Sequence, residues 1–445
     1  MVKPAAKAPA AKPAAPRAAR RSPLDMVMAS RLGKLLGRIG VAPRPASGEG
    51  LLDLAGALLS LRGKASGPAL ASAFFDLYEA SDLVSRQAFL GQIHALHPHD
   101  SEAINKAVAR WVEQRDEASA RALHDATQSP SQRLIDMLNL APGGTRRLLA
   151  MREDLLAAKP QTPGLKALDV AFADAFEAWF NAGFLELRPI AWESPAALLE
   201  RIIKYEAVHQ IQGWDDLRRR LEPADRRCYG FFHPQMADDP LIFVEVALTA
   251  EIPGAIGQVI TDKRKVLDPR ETKCAIFYSI SNCQDGLRGI PFGNYLIKRV
   301  VGLLRDELPQ LDTFATLSPV PGLTRWLAEV RGAEAAVPSA RELRALTAHY
   351  LVTGRNPRGQ VLDPVARFHL GNGARLEAIH ADADLSANGK RQSHGIMVNY
   401  VYDLAEIEAN HFALAELGQV ACSKPVAALA ESGAKVMDGP PKQAA

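Results

Sequence analysis

The stretch "SISNCQDGLRGIPFGNYLIKRVV", residues 279 to 301, places three glycines within eight positions and continues into a run with helical spacing. Glycine permits positive φ angles and a close approach of the backbone to a ligand, and it stands here at Gly286, Gly289 and Gly293. A helix that begins near Phe292 would direct unpaired N–H groups and the positive end of its dipole at a ligand above it. The spacing predicts a seat for an anion such as phosphate, although a flexible strand-to-helix connection would show the same glycines.

The glycine pattern lacks the known motifs for binding nucleotides. It is neither GxxxxGK[ST] nor a clean GxGxxG, and no Ser or Thr is placed to hold a magnesium ion. These differences argue against hydrolysis of a nucleoside triphosphate.

Three further polar residues stand close to predicted strands. Ser318 in "TLSPVPG" directly precedes Pro319, and from the residues alone it fits a turn or a helix cap as well as a catalytic hydroxyl. His369 in "RFHLGNG" lies between two apolar residues, as buried structural histidines often do. Ser279 stands in the strand before the glycine loop, where a structural role fits equally well. The histidines that compete with His369 for a catalytic role are His233, His380 and His394.

Short strand-like runs fill the second half of the chain and must position these residues. They alternate with helical runs such as "GNYLIKRVVGLLRDEL" and "GLTRWLAEV". This order is typical of an α/β domain, whose ligands usually meet the carboxyl ends of the strands. The predicted strands are residues 241 to 249, 274 to 281, 313 to 320, 374 to 381 and 396 to 404.

The first half, from about residue 50 to residue 182, has helical periodicity. Runs such as "GPALASAFFDLYEAS" and "LVSRQAFLGQIHAL" place apolar residues three and four positions apart, and Pro and Gly fall between the runs. We expect an all-α domain with a structural and assembly role, because it shows no constellation of residues with an evident chemistry.

Composition limits the class of protein. A chain of 445 residues with 47% hydrophobic and 23% charged residues is typical of a globular protein with two domains, and no uncharged apolar run reaches the length of a membrane span. The formal net charge of +3 arises in the Ala/Pro/Lys-rich start. Without the basic residues that precede Asp25, 47 basic residues remain against 50 acidic ones. This balance argues against a nucleic-acid partner.

The 4 cysteines show no CxxC or Cys/His spacing, so neither a zinc site nor a disulfide framework is predicted. This usage favours a reducing compartment. The start lacks acids, as mitochondrial transit peptides do, but its prolines would break an amphipathic helix. We therefore expect a disordered tail and a cytoplasmic protein, with a mitochondrial location as the alternative.

Several blocks of the chain, in this order and at these separations, resemble the malonyl-CoA decarboxylase family. They are "FYSIS", "QDGLRGIPFGNYLIKRVV", "FATLSPVPGLTRWL", "FHLGNGARL" and "VNYVYDL". The resemblance covers about residues 25 to 430, and "TLSPVPG" and "LRGIPFGNYLIKR" are specific to the family. It implies an α+β multidomain protein in which an all-α domain precedes an α/β catalytic domain with the GNAT-type (N-acetyltransferase-like) fold. The expected units are a disordered tail at 1–24, a helical oligomerisation domain at 25–182, the catalytic domain at 183–430 and a flexible tail at 431–445.

The resemblance also implies the site residues. Ser318 and His369 match the family's proton acceptor and proton donor and are expected to contact substrate, and Ser279 matches a serine expected near the thioester. Pro291 stands where some relatives carry an acid, which puts a side-chain role there in doubt but not phosphate binding by the backbone. The malonyl-CoA segment falls on Arg288, Gly289, Ile290, Pro291, Phe292, Gly293 and Asn294.

Decarboxylation of a malonyl thioester leaves an enolate that the thioester carbonyl itself delocalises, so neither a metal nor an organic cofactor is expected. The protein must keep the carboxylate out of water, offer a hydrogen-bond donor to the developing charge and deliver a proton to carbon. We expect Ser318 to bind the malonyl head and His369, with a pKa naturally near the working pH, to protonate the product carbon. Two interpretations fit the basic stretch at residues 261 to 273. It is either a contact for the adenosine 3′-phosphate or a solvated connection, and we prefer the second.

Two other functions fit the same coenzyme A platform. An acyltransferase would need a second cleft for its acceptor, and a non-enzymatic acyl-CoA sensor would bind malonyl-CoA without turnover. The expected partners are an acyl-CoA substrate, with acetyl-CoA as product, and further copies of the chain, which the resemblance implies as a tetramer.

Overall fold

The computed structural model of the chain describes residues 48–96, 101–261, 263–290, 296–332 and 336–438. The predicted tail at residues 1 to 24 lies outside these ranges, and so do four members of the malonyl-CoA segment, Pro291, Phe292, Gly293 and Asn294. No described helix is both long enough and apolar enough to cross a membrane.

The first half is helical, as predicted. The described helices of this half are α1 (Gly48–Leu59), α2 (Leu61–Ala80), α3 (Leu83–Leu96), α4 (Ser101–Gln114), α5 (Glu117–Thr127), α6 (Pro130–Leu138), α7 (Gly144–Ala157) and α8 (Pro163–Trp179). Residues 115 and 116 interrupt the helical structure between α4 and α5. Arg115 adopts a positive φ of 48°, and the Asp116 side chain caps α5 by accepting from Ser119 N at 2.7 Å.

Aromatic side chains form the centre of this helical half. The rings of Phe74 on α2 and Phe89 on α3 lie 5.4 Å apart, and those of Phe172 and Phe176 on α8 lie 5.6 Å apart. All four are buried. They come from the apolar faces that the periodicity predicts, and their burial stabilises the helical half.

An eight-stranded sheet organises the second half. Its strands are β1 (Glu186–Pro189), β2 (Arg226–Phe232), β3 (Ile242–Thr249), β4 (Cys274–Asn282), β5 (Thr313–Thr316), β6 (Ser318–Pro319), β7 (Arg375–His380) and β8 (Met397–Val401). Every predicted strand run coincides with at least one of them to within a few residues, and the run at residues 313 to 320 contains both β5 and β6. The sequence does not predict β1 and β2, because "ELRP" is short and "RRCYGFF" begins with two arginines.

The strands follow the order β1-β2-β3-β4-β5-β8-β6, and β7 pairs with β8 outside this path. Only β4 and β5 pair in parallel among the named strands. The helices of this half are α9 (Ala196–Tyr205), α10 (Trp214–Leu221), α11 (Gly257–Ile260), α12 (Leu296–Glu307), α13 (Leu323–Arg331), α14 (Ala340–Thr353), α15 (Pro364–Gly371), α16 (Ala387–Ser393), α17 (Ile407–Leu417) and α18 (Lys424–Asp438). Apolar side chains of α12, α14 and α15 cover one face of the sheet, and those of α9, α10 and α11 pack on the other.

The two parallel strands separate at their carboxyl ends. Their ladder runs to the Phe277–Thr316 pair, and the last contact between them is the hydrogen bond from Leu317 N to Phe277 O at 3.1 Å. Beyond it β4 stays paired with β3 through a bulge at Tyr278, whereas the chain after β5 pairs with β8. A mixed sheet with this divergence is the GNAT-type fold that the resemblance implies, and the glycine loop begins where β4 ends.

The described part of the second half ends in a helix. The prediction of a flexible tail from residue 431 is wrong for residues 431–438, because α18 continues to Asp438. Gly433 lets α18 approach α14 closely, since a Cβ at this position would lie 2.2 Å from the carbonyl oxygen of Ala345. Residues 439–445 lie outside the described part of the chain.

Candidate active site

Ser318 lies on β6, directly past the point where β4 and β5 separate. The strand pairs with Val398 of β8, which fixes the direction of the serine side chain. Ser318 is buried, and its Oγ donates to Thr316 Oγ1 at 2.9 Å. The same Oγ lies 3.2 Å from Nε2 of His369. The two residues that the resemblance assigns to catalysis are therefore in direct contact, although 51 positions separate them in the chain.

His369 is positioned by the short helix α15. Pro364 stands at the first position of this helix, and Asp363 caps it by accepting from Val365 N at 2.9 Å and Ala366 N at 3.0 Å. The imidazole is buried, with 3% exposure. Its burial agrees with the structural interpretation of a histidine between two apolar residues, while its contact with Ser318 supports the functional one.

Two tyrosines of the β8 region hold the imidazole. The ring of Tyr400 stacks on it with centroids 4.7 Å apart and planes 25° apart, and the hydroxyl of Tyr402 lies 2.8 Å from Nδ1. One tautomer satisfies all of these contacts: Tyr402 donates to Nδ1, the Nε2–H donates to Ser318, and Ser318 donates to Thr316. In this arrangement the free proton of the histidine faces the serine.

Burial lowers the pKa of His369 to about 3, because the charged imidazole would lose its hydration. The histidine is therefore neutral at pH 7 in this state. The expectation that the pKa of His369 lies near the working pH is wrong for this state. The ring nitrogens contact hydroxyl groups, and a neutral hydroxyl does not offset the cost of burying a charged imidazole. Burial also raises the pKa of the Tyr402 hydroxyl well above its usual value, so Tyr402 remains a hydrogen-bond donor at neutral pH.

Asp363 connects the serine segment to the histidine helix. While its Oδ1 caps α15, its Oδ2 accepts from the backbone N–H of Gly322 at 3.0 Å. Gly322 leaves no room for a side chain, because a Cβ there would lie 2.3 Å from the hydroxyl oxygen of Tyr350. The "TLSPVPG" block thus holds Ser318 at one end and contacts the cap of the His369 helix at the other.

Ser279 is not brought to this pair. The bulge at Tyr278 turns it toward the face covered by α9 and α10, where its Oγ donates to Glu206 Oε2 at 2.7 Å. Glu206 also accepts from the backbone N–H of His209 at 2.8 Å. Ser279 is buried and fully engaged in this network on the opposite side of the sheet from His369.

The competing histidines make other contacts. His233 accepts from Gln235 N at 3.2 Å, and His394 ends α16 in the left-handed conformation. The Nε2 of His380 bonds the side chain of Asn399, whose amide in turn donates to the Thr316 carbonyl at 2.9 Å. Of the described histidines, His369 is the one that contacts Ser318.

The two glycines in the described part of the glycine loop, Gly286 and Gly289, have different environments. Gly286 packs against α7, where a Cβ would lie 2.4 Å from the carbonyl oxygen of Leu149, so this glycine is explained by packing. Gly289 is exposed and has a positive φ of 84°, as a phosphate-binding backbone often requires. Arg288 is exposed, with an ion pair to Asp285 at 2.9 Å, and Ile290 is buried.

Arg264 anchors the described part of the basic stretch at residues 261 to 273. Arg264 binds the buried carboxylate of Asp225 through both terminal nitrogens, while Lys263 and Lys265 are exposed. This geometry agrees with the interpretation as a solvated connection.

Comparison with known proteins matches both halves of the chain. The model of the malonyl-CoA decarboxylase N-terminal domain matches residues 97–180, and that of the C-terminal domain matches residues 183–342 and 332–438. The chain belongs to the malonyl-CoA decarboxylase family.

Members of the malonyl-CoA decarboxylase family from distant organisms are similar to it. The mitochondrial malonyl-CoA decarboxylase of Anser anser anser is 36% identical over 343 residues, which cover 66% of this chain and 68% of the goose protein. The crystal structure of malonyl-CoA decarboxylase from Agrobacterium vitis has a TM-score of 0.80 at 46% identity, covering 85% of this chain and 99% of that one. The structure from Rhodopseudomonas palustris has a TM-score of 0.79 at 45% identity, covering 86% and 99%.

Sequence reasoning missed the residues that contact the Ser318–His369 pair and its segments. Thr316, Asp363 and Tyr402 each contact Ser318, His369 or their segments, and none was singled out. Asp363 before a proline is a helix-cap signal that could have been found. Tyr402 stands in the family block "VNYVYDL", but no local pattern separates it from Tyr400.

Proposed function

We propose that this protein is a carboxy-lyase that converts malonyl-CoA to acetyl-CoA and carbon dioxide without a metal or an organic cofactor. The observation that carries the proposal is the buried contact of 3.2 Å between Ser318 Oγ and His369 Nε2 at the divergence of β4 and β5. Membership of the family supports the substrate class.

The bond that breaks joins the malonyl carboxylate to the methylene carbon. Its electron pair moves into the thioester carbonyl and forms an enolate, while the carboxylate leaves as carbon dioxide. Collapse of the enolate then forms a carbon–hydrogen bond with one proton from the protein. Overall, one proton is consumed for each malonyl-CoA.

Ser318 acts on the charge that develops in the first step. Its hydroxyl, which donates to Thr316 in the described state, donates instead to the carbonyl oxygen of the thioester. A fixed donor in a site with little water stabilises an enolate oxygen more than the neutral carbonyl of the ground state, so the donor lowers the barrier.

His369 delivers the proton to carbon. A malonyl carboxylate that enters this buried site raises the pKa of His369, because a nearby negative charge favours the imidazolium. The substrate complex therefore contains the proton that the neutral histidine lacks. After carbon dioxide leaves, the Nε2–H protonates the carbon, and Tyr402 keeps the ring oriented through its contact with Nδ1.

The segment from Arg288 to Asn294 binds the coenzyme. Gly289, with its positive φ and its exposed backbone, provides the described part of the phosphate-binding site. The tetrameric state and the cytoplasmic location remain predictions.

The experiment is to strip the purified full chain of metals with a chelator and supply malonyl-CoA alone, following acetyl-CoA and carbon dioxide together. The proposal expects equal release of both products at a rate that added divalent metal does not change. Activity that appears only when metal or a cofactor is added contradicts the cofactor-free mechanism. Binding of malonyl-CoA without release of carbon dioxide indicates an acyl-CoA sensor, or an acyltransferase if an acceptor becomes acylated.

A further inference from the structure

We propose that helix α7 of the helical half is part of the acyl-CoA site, with Arg152 as the residue that positions the phosphate-binding loop. This inference rests on the proposed function, because it names what orients the N–H of Gly289 toward the coenzyme phosphates. It also gives the helical half a role in substrate binding in addition to assembly.

Arg152 reaches from α7 to the backbone of the glycine loop. Its Nη1 donates to the carbonyl oxygens of Gly286 at 2.7 Å and Arg288 at 3.0 Å. Its Nε binds Asp169 Oδ1 on α8 at 2.8 Å, which fixes the guanidinium from the other side. The arginine is buried, with 3% exposure, so its Nη1 donates to the loop in a site shielded from water.

Two neighbours on the same face of α7 contact the same loop. Glu153 Oε1 accepts from the Gly286 N–H at 3.3 Å, and the backbone at Leu149 packs directly on the Cα of Gly286. Leu149, Arg152 and Glu153 are spaced three and four positions apart, so a single face of one helix presents all three contacts. Both the carbonyl and the N–H of Gly286 are thereby bound by the helical half.

The arginine contact determines where one amide points. Within a planar trans peptide the C=O and the following N–H point in opposite directions. Because Arg152 binds the carbonyl of Arg288, the N–H of Gly289 is turned away from α7. The neighbouring N–H groups of Leu287, Arg288 and Ile290 donate to acceptors inside the loop, whereas that of Gly289 has no acceptor among the described residues. Gly289 is also exposed, so its N–H is available to a phosphate oxygen.

Removal of Arg152 would free the Arg288 carbonyl and let the Gly289 peptide rotate. The coenzyme phosphates would then lose a preorganised donor, while Ser318 and His369, on other elements, would keep their geometry. The defect should therefore appear in binding of the phosphate-bearing part of the substrate and not in the chemical step.

The test compares Arg152→Met with Arg147→Met in the full chain. Arg147 is on the same helix but pairs with Asp76 and Glu79 inside the helical half, so its replacement removes the same charge without affecting the loop. Binding of acetyl-CoA is measured by calorimetry, and kcat and KM are measured with malonyl-CoA.

The proposal expects Arg152→Met to weaken acetyl-CoA binding and to raise KM by tenfold or more, with kcat changed less than threefold. Arg152→Lys should recover part of the affinity, since an ammonium can still donate to one carbonyl. Malonyl-pantetheine, which lacks the phosphates, should be turned over equally well by Arg152→Met and the unchanged protein. Arg147→Met should bind acetyl-CoA as the unchanged protein does.

An Arg152→Met variant that remains folded and binds acetyl-CoA normally overturns the inference and leaves the proposed function standing. Conversely, a protein that binds acetyl-CoA in an Arg152-dependent manner but releases no carbon dioxide supports the inference while the proposed function fails. If Arg152→Met does not fold, Glu153→Ala decides, because it removes only the Gly286 N–H contact from an exposed position. Several-fold weaker acetyl-CoA binding in Glu153→Ala supports the proposal, and unchanged binding contradicts it.

Discussion

The hydroxyl of Tyr402 lies 2.8 Å from Nδ1 of His369, on the side of the imidazole opposite to the contact of Nε2 with Ser318. A donor at Nδ1 selects the tautomer whose proton is on Nε2. The serine, the histidine and the tyrosine therefore form one hydrogen-bonded series, and each member restricts the orientation of the next.

Tyr402→Phe should reduce kcat roughly tenfold, equivalent to about 1.4 kcal/mol, because the imidazole loses the partner that fixes its tautomer. KM for malonyl-CoA should change little, since Tyr402 contacts the histidine and not the coenzyme loop. Steady-state kinetics at several pH values measure the effect. Both the maximal kcat and the pH at which kcat is half-maximal should change.

Tyr400→Phe is the matched control. Its ring also packs on His369, but its buried hydroxyl has no described hydrogen-bond partner. Removing an unsatisfied buried hydroxyl should leave kcat within about twofold and stabilise the fold by roughly 1 kcal/mol. Equal losses of kcat in both variants would show that ring packing, and not the Nδ1 contact, matters.

Asp363→Asn should destabilise the protein by about 2 to 4 kcal/mol, although it preserves shape. One carboxylate oxygen accepts from the backbone N–H of Gly322, and the other accepts from N–H groups in the first turn of α15. The side-chain NH2 group of asparagine would therefore face one of these backbone N–H groups, and two donors cannot form a hydrogen bond. Urea unfolding measures the change. Asp268→Asn, at an exposed cap, is the control and should change stability by less than about 1 kcal/mol.

Stability should fall as the pH falls below 6.5. Burial lowers the pKa of His369 to about 3 and that of His209 to about 4, whereas an unfolded imidazole titrates near 6.5. Between these values the unfolded chain binds more protons, so each histidine removes roughly 1 kcal/mol of unfolding free energy per pH unit of acidification. Urea unfolding from pH 7.5 to 4.5 should show a shallower slope for His369→Gln than for the unchanged protein. Identical slopes would mean that this histidine titrates in the folded protein as it does in the unfolded chain, and would contradict the lowered pKa.

Malonyl-CoA binding should take up about one proton at pH 7, because the substrate carboxylate raises the pKa of a histidine that is neutral before binding. Calorimetry of Ser318→Ala, in buffers of different ionisation enthalpy, measures the uptake without turnover. Acetyl-CoA, which lacks the carboxylate, should cause no uptake, and neither should malonyl-CoA with Ser318→Ala combined with His369→Asn. Proton uptake in that double variant would assign the proton to another group.

Periodicity predicted the helical half and the five central strand runs. In these segments the apolar residues recur at the spacing at which the side chains of a helix or a strand face the core. Periodicity could not predict β1, because four residues that pair with β2 at the edge of the sheet are too few to show a period. Ser318 and His369 were selected through family blocks, since neither "TLSPVPG" nor "RFHLGNG" carries a local chemical signal. Ser279 shows the limit of that method: a bulge one position earlier turns its side chain to the other face of the sheet. Arg152 was invisible in the sequence, because its function depends on a contact with the Gly286 carbonyl 134 positions away.

The most direct test of the account is a double-mutant cycle on kcat with Ser318→Ala, His369→Asn and the combination. If the pair acts as one unit, each single variant should lose about a hundredfold or more, and the double variant should be no slower than the slower single variant, within about threefold. Losses that multiply in the double variant would show two independent contributions. A single variant that retains the unchanged kcat would remove that residue from the mechanism and contradict the account.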